Sequence, residues 1–265
     1  MSIDWDDAYA NAAYIAGADK IIKKIIHDAA KFRAQAYGEI DIAYGPSVRE
    51  RFDLFLPACT PKGLAVFIHG GYWLEFDKSA WSHLATGCLL QDWAVCLPSY
   101  DLCPDVRISD ITKQVGAAIT AATALVAGPI SITGHSAGGH LAARMGCQST
   151  PLSEAVANRV KNIVGISGLY DLTGLSRTRM NEDLKLTEAE IAVESPALQA
   201  PLSHINFTSW VGGLERPELI RQSKNIVTAR QGKDAATHSI ETPISSKQPT
   251  PPTQKTGEKT GTSMH

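Results

Sequence analysis

The chain reads as an α/β protein: a doubly wound, mainly parallel sheet with helices on both faces. Three observations predict this. Short apolar segments alternate with helix-like segments along most of the 265 residues. The segment Leu64 to Ile68 is apolar at every position, as expected of a strand covered on both faces. The run Gly134-His135-Ser136-Ala137-Gly138-Gly139 sits where the apolar strand Ile130 to Thr133 gives way to a helix-like segment, Ala137 to Cys147.

The elements follow in order. Residues from Asp6 to about Ala36 read as helical, with an apolar face of Ile21, Ile22, Ile25 and Ile26 beside Lys20, Lys23 and Lys24. Strands are predicted at Ile40 to Tyr44 and Arg51 to Leu56, the second alternating polar and apolar. After Leu64 to Ile68 come a helix from Lys78 to Leu90, a strand from Trp93 to Leu97, and a long helix from Ser109 to about Val126 with Asp110 near its start. Beyond Cys147 we expect a helix over Ser153 to Lys161 and a strand over Asn162 to Ser167. A polar stretch follows from Thr173 to about Ser203, with a short helix near Leu186 to Val193. The last elements are a strand at Phe207 to Val211, a helix at Pro217 to Arg230 with proline in its first turn, and a strand at Thr237 to Ile240. One domain over 1–244 accounts for this length. From Ser245 to Ser263 there is no aliphatic or aromatic residue, so 245–265 reads as a disordered polar tail.

Composition excludes several classes. The net charge of -2 gives no basic excess for nucleic acid or for an anionic membrane. The acidic start, Asp4-Trp5-Asp6-Asp7, lacks the cationic and apolar regions of a secretory signal, and no apolar run reaches membrane-spanning length. The five cysteines are odd in number and irregular in spacing, as in reduced thiols, so a cytoplasmic location is expected. The histidines show no metal-ligand spacing.

The chemistry starts at Ser136. Glycine two residues before and two after a serine, at a strand-to-helix junction, is the pattern of a nucleophile elbow. The turn is sharp enough that side chains at the glycine positions would collide. Upstream, Val66-Phe67-Ile68-His69-Gly70-Gly71-Tyr72-Trp73 reads as a buried strand running into a His-Gly-Gly loop. An oxyanion hole takes one N–H from the residue after the nucleophile and another from such a loop, which points to Ala137 with Gly70 and Gly71. His69 then shapes the loop. Tyr72, Trp73, Phe76 and Trp81 follow it and read either as core or as a flat apolar wall for an aryl group, and His140, one turn after Ser136, borders the pocket.

A serine nucleophile needs a base and an acid that orients it, and in this arrangement the chain order is Ser, acid, His. The acid follows the strand after next. That loop is Gly212-Gly213-Leu214-Glu215-Arg216-Pro217-Glu218, with Glu215 first and Glu218 second, whereas Asp171 comes one strand too early and reads as a turn or cap residue, with a place at the pocket edge left open. Beyond Glu215 the only histidines are His238, inside the last predicted strand, and His265, at the end of the polar tail.

These residues carry a resemblance. The segments Tyr9-Ala10-Asn11-Ala12-Ala13, His69-Gly70-Gly71-Tyr72-Trp73, Gly134-His135-Ser136-Ala137-Gly138-Gly139-His140, Ile166-Ser167-Gly168-Leu169-Tyr170-Asp171-Leu172 and Val211-Gly212-Gly213 with Glu215-Arg216-Pro217-Glu218 resemble the kynurenine formamidase-like (arylformamidase-like) carboxylesterases of the α/β-hydrolase superfamily. The resemblance spans about residues 4 to 240. It implies an α/β-hydrolase-type sheet and hydrolysis of small carboxylic esters or N-formyl aryl amides without a cofactor, with Ser136 as nucleophile and Glu215 as acid. Many relatives carry Asp at the acid position. The family's His-Phe motif and closing helix after the last strand are absent here, so the usual base reads as missing; His238, near the start of the last strand rather than after its end, and His265 are the only candidates. The abrupt change of composition suggests a reading-frame slip or a C-terminal replacement near Ile244, the slip testable by translating the other frames. Two functions are therefore expected: an active serine esterase or formamidase, a thioesterase being a weaker form of it, or an impaired relative that binds a small ligand. Without a closing helix, the face beside the last strand would be uncovered, giving low solubility or a homodimer.

Overall fold

The computed structural model describes residues 3–230 and 235–240, the latter as backbone. Its strands are β1 (Gly38–Ala43), β2 (Arg51–Phe55), β3 (Leu64–Ile68), β4 (Ala94–Pro98), β5 (Ile130–His135), β6 (Val160–Ile166), β7 (Asn206–Gly212) and β8 (Ala235–Ile240). They form one sheet in the order β1-β2-β4-β3-β5-β6-β7-β8. β2 runs antiparallel to both β1 and β4, and every other neighbouring pair is parallel.

The continuous apolar run at β3 has the predicted cause. Leu64, Val66 and Ile68 join the larger core cluster, which holds residues of the helices Ile108–Leu125, Ala137–Met145 and Pro217–Ala229. Ala65 and Phe67 point the other way, into a smaller cluster with Phe32 and Ala85. Helices thus cover both faces, and every residue of β3 is buried except Phe67, which is half-buried.

Three elements differ from the sequence reading. The single N-terminal helix is three pieces: Trp5–Tyr9, a 3₁₀ turn Ala12–Tyr14, and Ala18–Arg33. Gly17 at φ 73° lies outside helical geometry and breaks the run, a position other residues adopt only with strain. The segment from Lys78 begins as 3₁₀ to Ala85 and continues as one α-helical turn, Thr86–Leu89. The helix expected over Ser153 to Lys161 closes at Ala157. Arg159 ends it by donating from its guanidinium to the carbonyls of Thr123, Val126 and Gly128, which fixes the chain at the entrance to β6.

All five cysteines are free. No helix among the described residues is long and apolar enough to cross a membrane. The expected polar tail over 245–265, and with it His265 and whatever follows β8, lies outside the described residues.

Candidate active site

The C-terminal ends of β3, β5, β6 and β7 converge on Ser136. β5 ends at His135, and Ser136 adopts φ 55° and ψ -118° before the helix Ala137–Met145 begins. A non-glycine residue at this φ is strained and persists only when its surroundings hold it. They do: the Ser136 amide donates to Ile166 O at 2.8 Å, and the His140 amide donates to Ser136 O at 3.1 Å. The flanking glycines are required by contact. A Cβ on Gly134 would lie 1.9 Å from Gly138 O, and one on Gly138 would lie 2.1 Å from Ile68 O.

The loop after β3 packs directly on this turn. A Cβ on Gly70 would meet His135 O at 2.7 Å and Ser136 Cβ at 3.1 Å. Gly71 sits at φ 112°, and a Cβ there would reach Glu75 O at 2.4 Å, so the chain doubles back tightly. His69 braces the loop from behind. Its ring stacks on Tyr100 with centroids 4.2 Å apart, its Nδ1 lies 2.8 Å from Gly70 O, and Tyr100 donates its hydroxyl to His69 O at 2.8 Å. Burial pushes the His69 pKa down to about 4, so the ring is neutral near pH 7. Ala137 opens the following helix, and the first amides of a helix have no partner within it. The Gly70 turn and the start of this helix thus both pack against Ser136.

Ser167 and Glu215 complete the rim. Ser167 follows β6 at φ 50°, its amide donates to Trp210 O at 2.7 Å, and its hydroxyl donates to Glu215 Oε1 at 2.8 Å. The Gly212 amide donates to the same oxygen at 2.9 Å. Glu215 Oε2 is buried without a partner among the described residues. Burial raises the Glu215 pKa, opposed by the two hydrogen bonds. Glu218 is occupied otherwise: Tyr9, Arg221 and Gln222 all donate to it. Asp171 accepts from the Thr173 amide at 3.0 Å, as a turn residue does. His238 is the fourth residue of β8 and stands in register with Trp210 of β7.

A cavity of about 220 Å³ opens beside Ser136 and Ser167. Its walls are Tyr72, Phe76, Trp81 and His135, and its roof is Ile21, Ile22 and Ile25 on the helix Ala18–Arg33. Two expectations are corrected here. Trp73 and His140 do not line the cavity; both are fully buried and pack edge-to-face with centroids 5.0 Å apart. Trp73 at φ 60° turns inward behind the loop. His140 Nε2 lies 2.6 Å from Glu194 O, on the core side of its helix. The sequence reading also missed Asn11, Ile15 and Ser167 as lining residues. The amphipathic stripe Ile21-Ile22-Ile25 was the one signal for the roof. Among the described residues no group of His, Cys, Asp or Glu could hold a metal ion.

Fold and site together define an α/β hydrolase of the esterase and formamidase kind. The chain belongs to the BD-FAE family, whose model matches residues 52–237. It is 28% identical over 241 residues to a kynurenine formamidase from Salmo salar, covering 84% of this chain and 80% of that one. It is 29% identical over 202 residues to the Danio rerio kynurenine formamidase, covering 72% and 68%. Among solved structures, a provisionally named thioesterase from Silicibacter superposes with a TM-score of 0.84 at 46% identity, covering 91% of this chain and 92% of that one. Esterase B from Lactobacillus rhamnosis shares the fold, with a TM-score of 0.65 at 18% identity over 85% and 84% of the two chains.

Proposed function

We propose that the protein is a cytoplasmic serine hydrolase that cleaves small carboxylic esters or N-formyl aryl amides through an acyl-enzyme on Ser136. The observation that carries this reading is the strained serine at φ 55°, packed against the Gly70-Gly71 loop and facing an apolar cavity. The Ser136 hydroxyl attacks the acyl or formyl carbonyl. Its proton passes to a histidine base and then to the departing alcohol or amine. The N–H groups of Ala137 and of the Gly70-Gly71 loop hold the oxyanion, and water, deprotonated by the same base, releases the acid. No cofactor takes part. Glu215 orients the base through Oε2, the oxygen left without a partner among the described residues. His238 is the candidate base by chain order. N-formylkynurenine is the formamide suggested by the names of the curated relatives.

A second reading is favoured by that same carboxylate oxygen. If no histidine engages Glu215, the chain is an impaired hydrolase that binds a small ligand at Ser136 and turns it over slowly. A fluorophosphonate probe separates the two. Prompt stoichiometric labelling at Ser136, lost in Ser136→Ala, establishes the activated nucleophile; labelling no faster than that of an ordinary surface serine establishes the impaired state. Hydrolysis of p-nitrophenyl acetate and N-formylkynurenine by the same protein ranks ester against formamide, and its loss in His238→Ala assigns the base.

A further inference from the structure

A second cavity, of about 360 Å³, opens on the β1–β2–β4 side of the sheet, with β8 at the opposite edge. It shares no lining residue with the cavity beside Ser136. Four cationic side chains line it: Arg33 at the end of its helix, Arg49, Arg51 at the start of β2, and Lys78. Two carboxylates line it as well, Asp41 and Asp77.

These charges fall into a neutralised half and an open half. Arg33 and Lys78 converge on the fully buried Asp53 at 2.6 and 2.9 Å, and Lys78 also reaches Asp41 at 2.5 Å. Asp77 accepts from the amide and the hydroxyl of Ser79. Arg49 and Arg51 form no ion pair among the described residues and donate to neutral carbonyls instead. Arg49 Nε donates to Tyr100 O at 2.7 Å, and its Nη2 donates to Phe76 O. Arg51 Nη1 donates to the carbonyls of Gly45, Ser47 and Glu50 at 3.1, 2.8 and 2.9 Å. That leaves Arg49 Nη1 and Arg51 Nε and Nη2 without an acceptor among the described residues. The nearby carboxylates are held by neutral donors: Glu50 by the Ser47 amide, and Asp101 by the Ser47 hydroxyl and the Gln114 amide group. Ser99 Oγ accepts from the Lys78 amide at 3.0 Å, which leaves its own O–H to donate.

We propose that this cleft binds a phosphate group, as the free ion or on a small monoester, held by Arg49 and Arg51 with Ser99 as a hydroxyl donor. Guanidinium forks match phosphate oxygens two at a time. A phosphate also accepts from several directions at once, which suits donors at the start of β2 and just after β4. Both arginines are half-buried, so water weakens their attraction for an anion less than on an open surface. Asp77 sets one negative charge against these two positive ones and does not cancel them. The cleft is also tied to the rest of the site. Arg49 holds the carbonyl of Tyr100, whose hydroxyl braces His69, and the carbonyl of Phe76, a wall of the cavity beside Ser136. The proposal does not depend on the serine-hydrolase reading.

The test is calorimetry on the full chain with inorganic phosphate at low salt, which needs no turnover. Binding should be saturable and should weaken as salt is added. Arg51→Gln should weaken it about 10-fold or more, the scale of a hydrogen bond to a charged group. Val48 lines the cleft and is 89% exposed, so changing it leaves the packing intact. Val48→Glu should weaken phosphate binding about 3-fold or more and Val48→Lys should strengthen it by a similar factor, in line with one added charge near a partly screened site. These two variants keep the test decisive if Arg51→Gln fails to fold. No binding with phosphate in the millimolar range overturns the proposal. Binding that is the same in wild type and in the Val48 variants lies elsewhere on the protein and overturns it equally. Glycerol 3-phosphate titrated in parallel separates the two sources: tighter binding than phosphate assigns the cleft to a monoester, and equal or weaker binding assigns it to the free ion.

Discussion

Ser167 donates its hydroxyl to Glu215 Oε1 at 2.8 Å and leaves the other carboxylate oxygen of Glu215 buried and without a partner among the described residues. One side chain thus fixes the carboxylate and also borders the cavity beside Ser136.

This arrangement has a signature in stability against pH. Burial raises the Glu215 pKa above its unfolded value. The native state therefore holds its proton to higher pH than the unfolded chain does. The stability this group contributes is present below the ordinary carboxylate range and is lost as pH rises through the folded pKa. Glu215→Gln, neutral throughout, should remove that decline and be as stable as wild type or more so at pH 7. Denaturant midpoints of both proteins across this range check it. The midpoint difference between the two should move in favour of Gln as pH rises from 4 to 7; a difference that stays constant, or that favours wild type increasingly, would contradict it.

The elbow glycines give a steric prediction. A Cβ at Gly134 or Gly138 would overlap backbone oxygens at 1.9 and 2.1 Å, and backbone cannot swing aside as a flexible side chain can. Gly134→Ala and Gly138→Ala should each cost about 3 kcal/mol or more, the range of severe overpacking. In a protein of this size that lowers Tm by roughly 6 °C or more. Gly87, with nothing within 4 Å of an added Cβ, is the control, and its Ala variant should be neutral or stabilising. Similar melting of all three variants would refute this packing.

Three histidines around the site make the fold acid-sensitive. Burial pushes His69, His135 and His140 each down to about 4. An unfolded histidine titrates near 6.5. Between those values the unfolded chain binds more protons than the native one, so stability falls as pH falls from about 6.5 towards 4. Together the three contribute up to about 4 kcal/mol of loss per pH unit inside that window. Urea midpoints at pH 7, 6 and 5 should drop progressively, before most carboxylates titrate. A flat profile over that span would show the rings to be protonated in the folded state.

How much of this was legible in the sequence depends on range. The Gly134 to Gly138 turn was readable because its glycine spacing is local, although the contacts that enforce it include Ile68 O and Ile166 O from neighbouring strands. The place of Glu215 beside Ser167 was readable by counting strands, since the loop after the strand next but one lands at the same sheet edge. The roof was half readable. Ile21, Ile22 and Ile25 announced a helix with an apolar face, but which surface that face covers is decided by packing far along the chain. Trp73 and His140 misled for the same reason. Both neighbour site residues in sequence, yet the positive φ of Trp73 and the helix phase of His140 turn them into the core. Ser167 stood in a segment that carries the resemblance but gave no sign of bordering the cavity, because its partner Glu215 arrives from 48 positions away.

The ion pair behind the elbow helix is the other long-range contact that the sequence concealed, and it supports the site. Arg144 Nε lies 3.1 Å from Glu194 Oε2 with both side chains almost wholly buried, and Thr112 donates to the same oxygen at 2.6 Å. His140 Nε2 approaches the Glu194 carbonyl on the same side. These contacts tie the helix Ala137–Met145, which starts directly after Ser136, to Glu188–Glu194 and Ile108–Leu125. Glu194→Leu leaves a buried guanidinium without its counter-charge and should cost about 3–5 kcal/mol. Arg144→Met strands the carboxylate at similar cost. The double variant replaces both charges by apolar groups and should recover most of the loss, because the pair's attraction roughly offsets its own desolvation. A double-mutant cycle by chemical denaturation measures this coupling. Strictly additive losses would mean that each residue is held by its other neighbours, and that the pair does not anchor the helix.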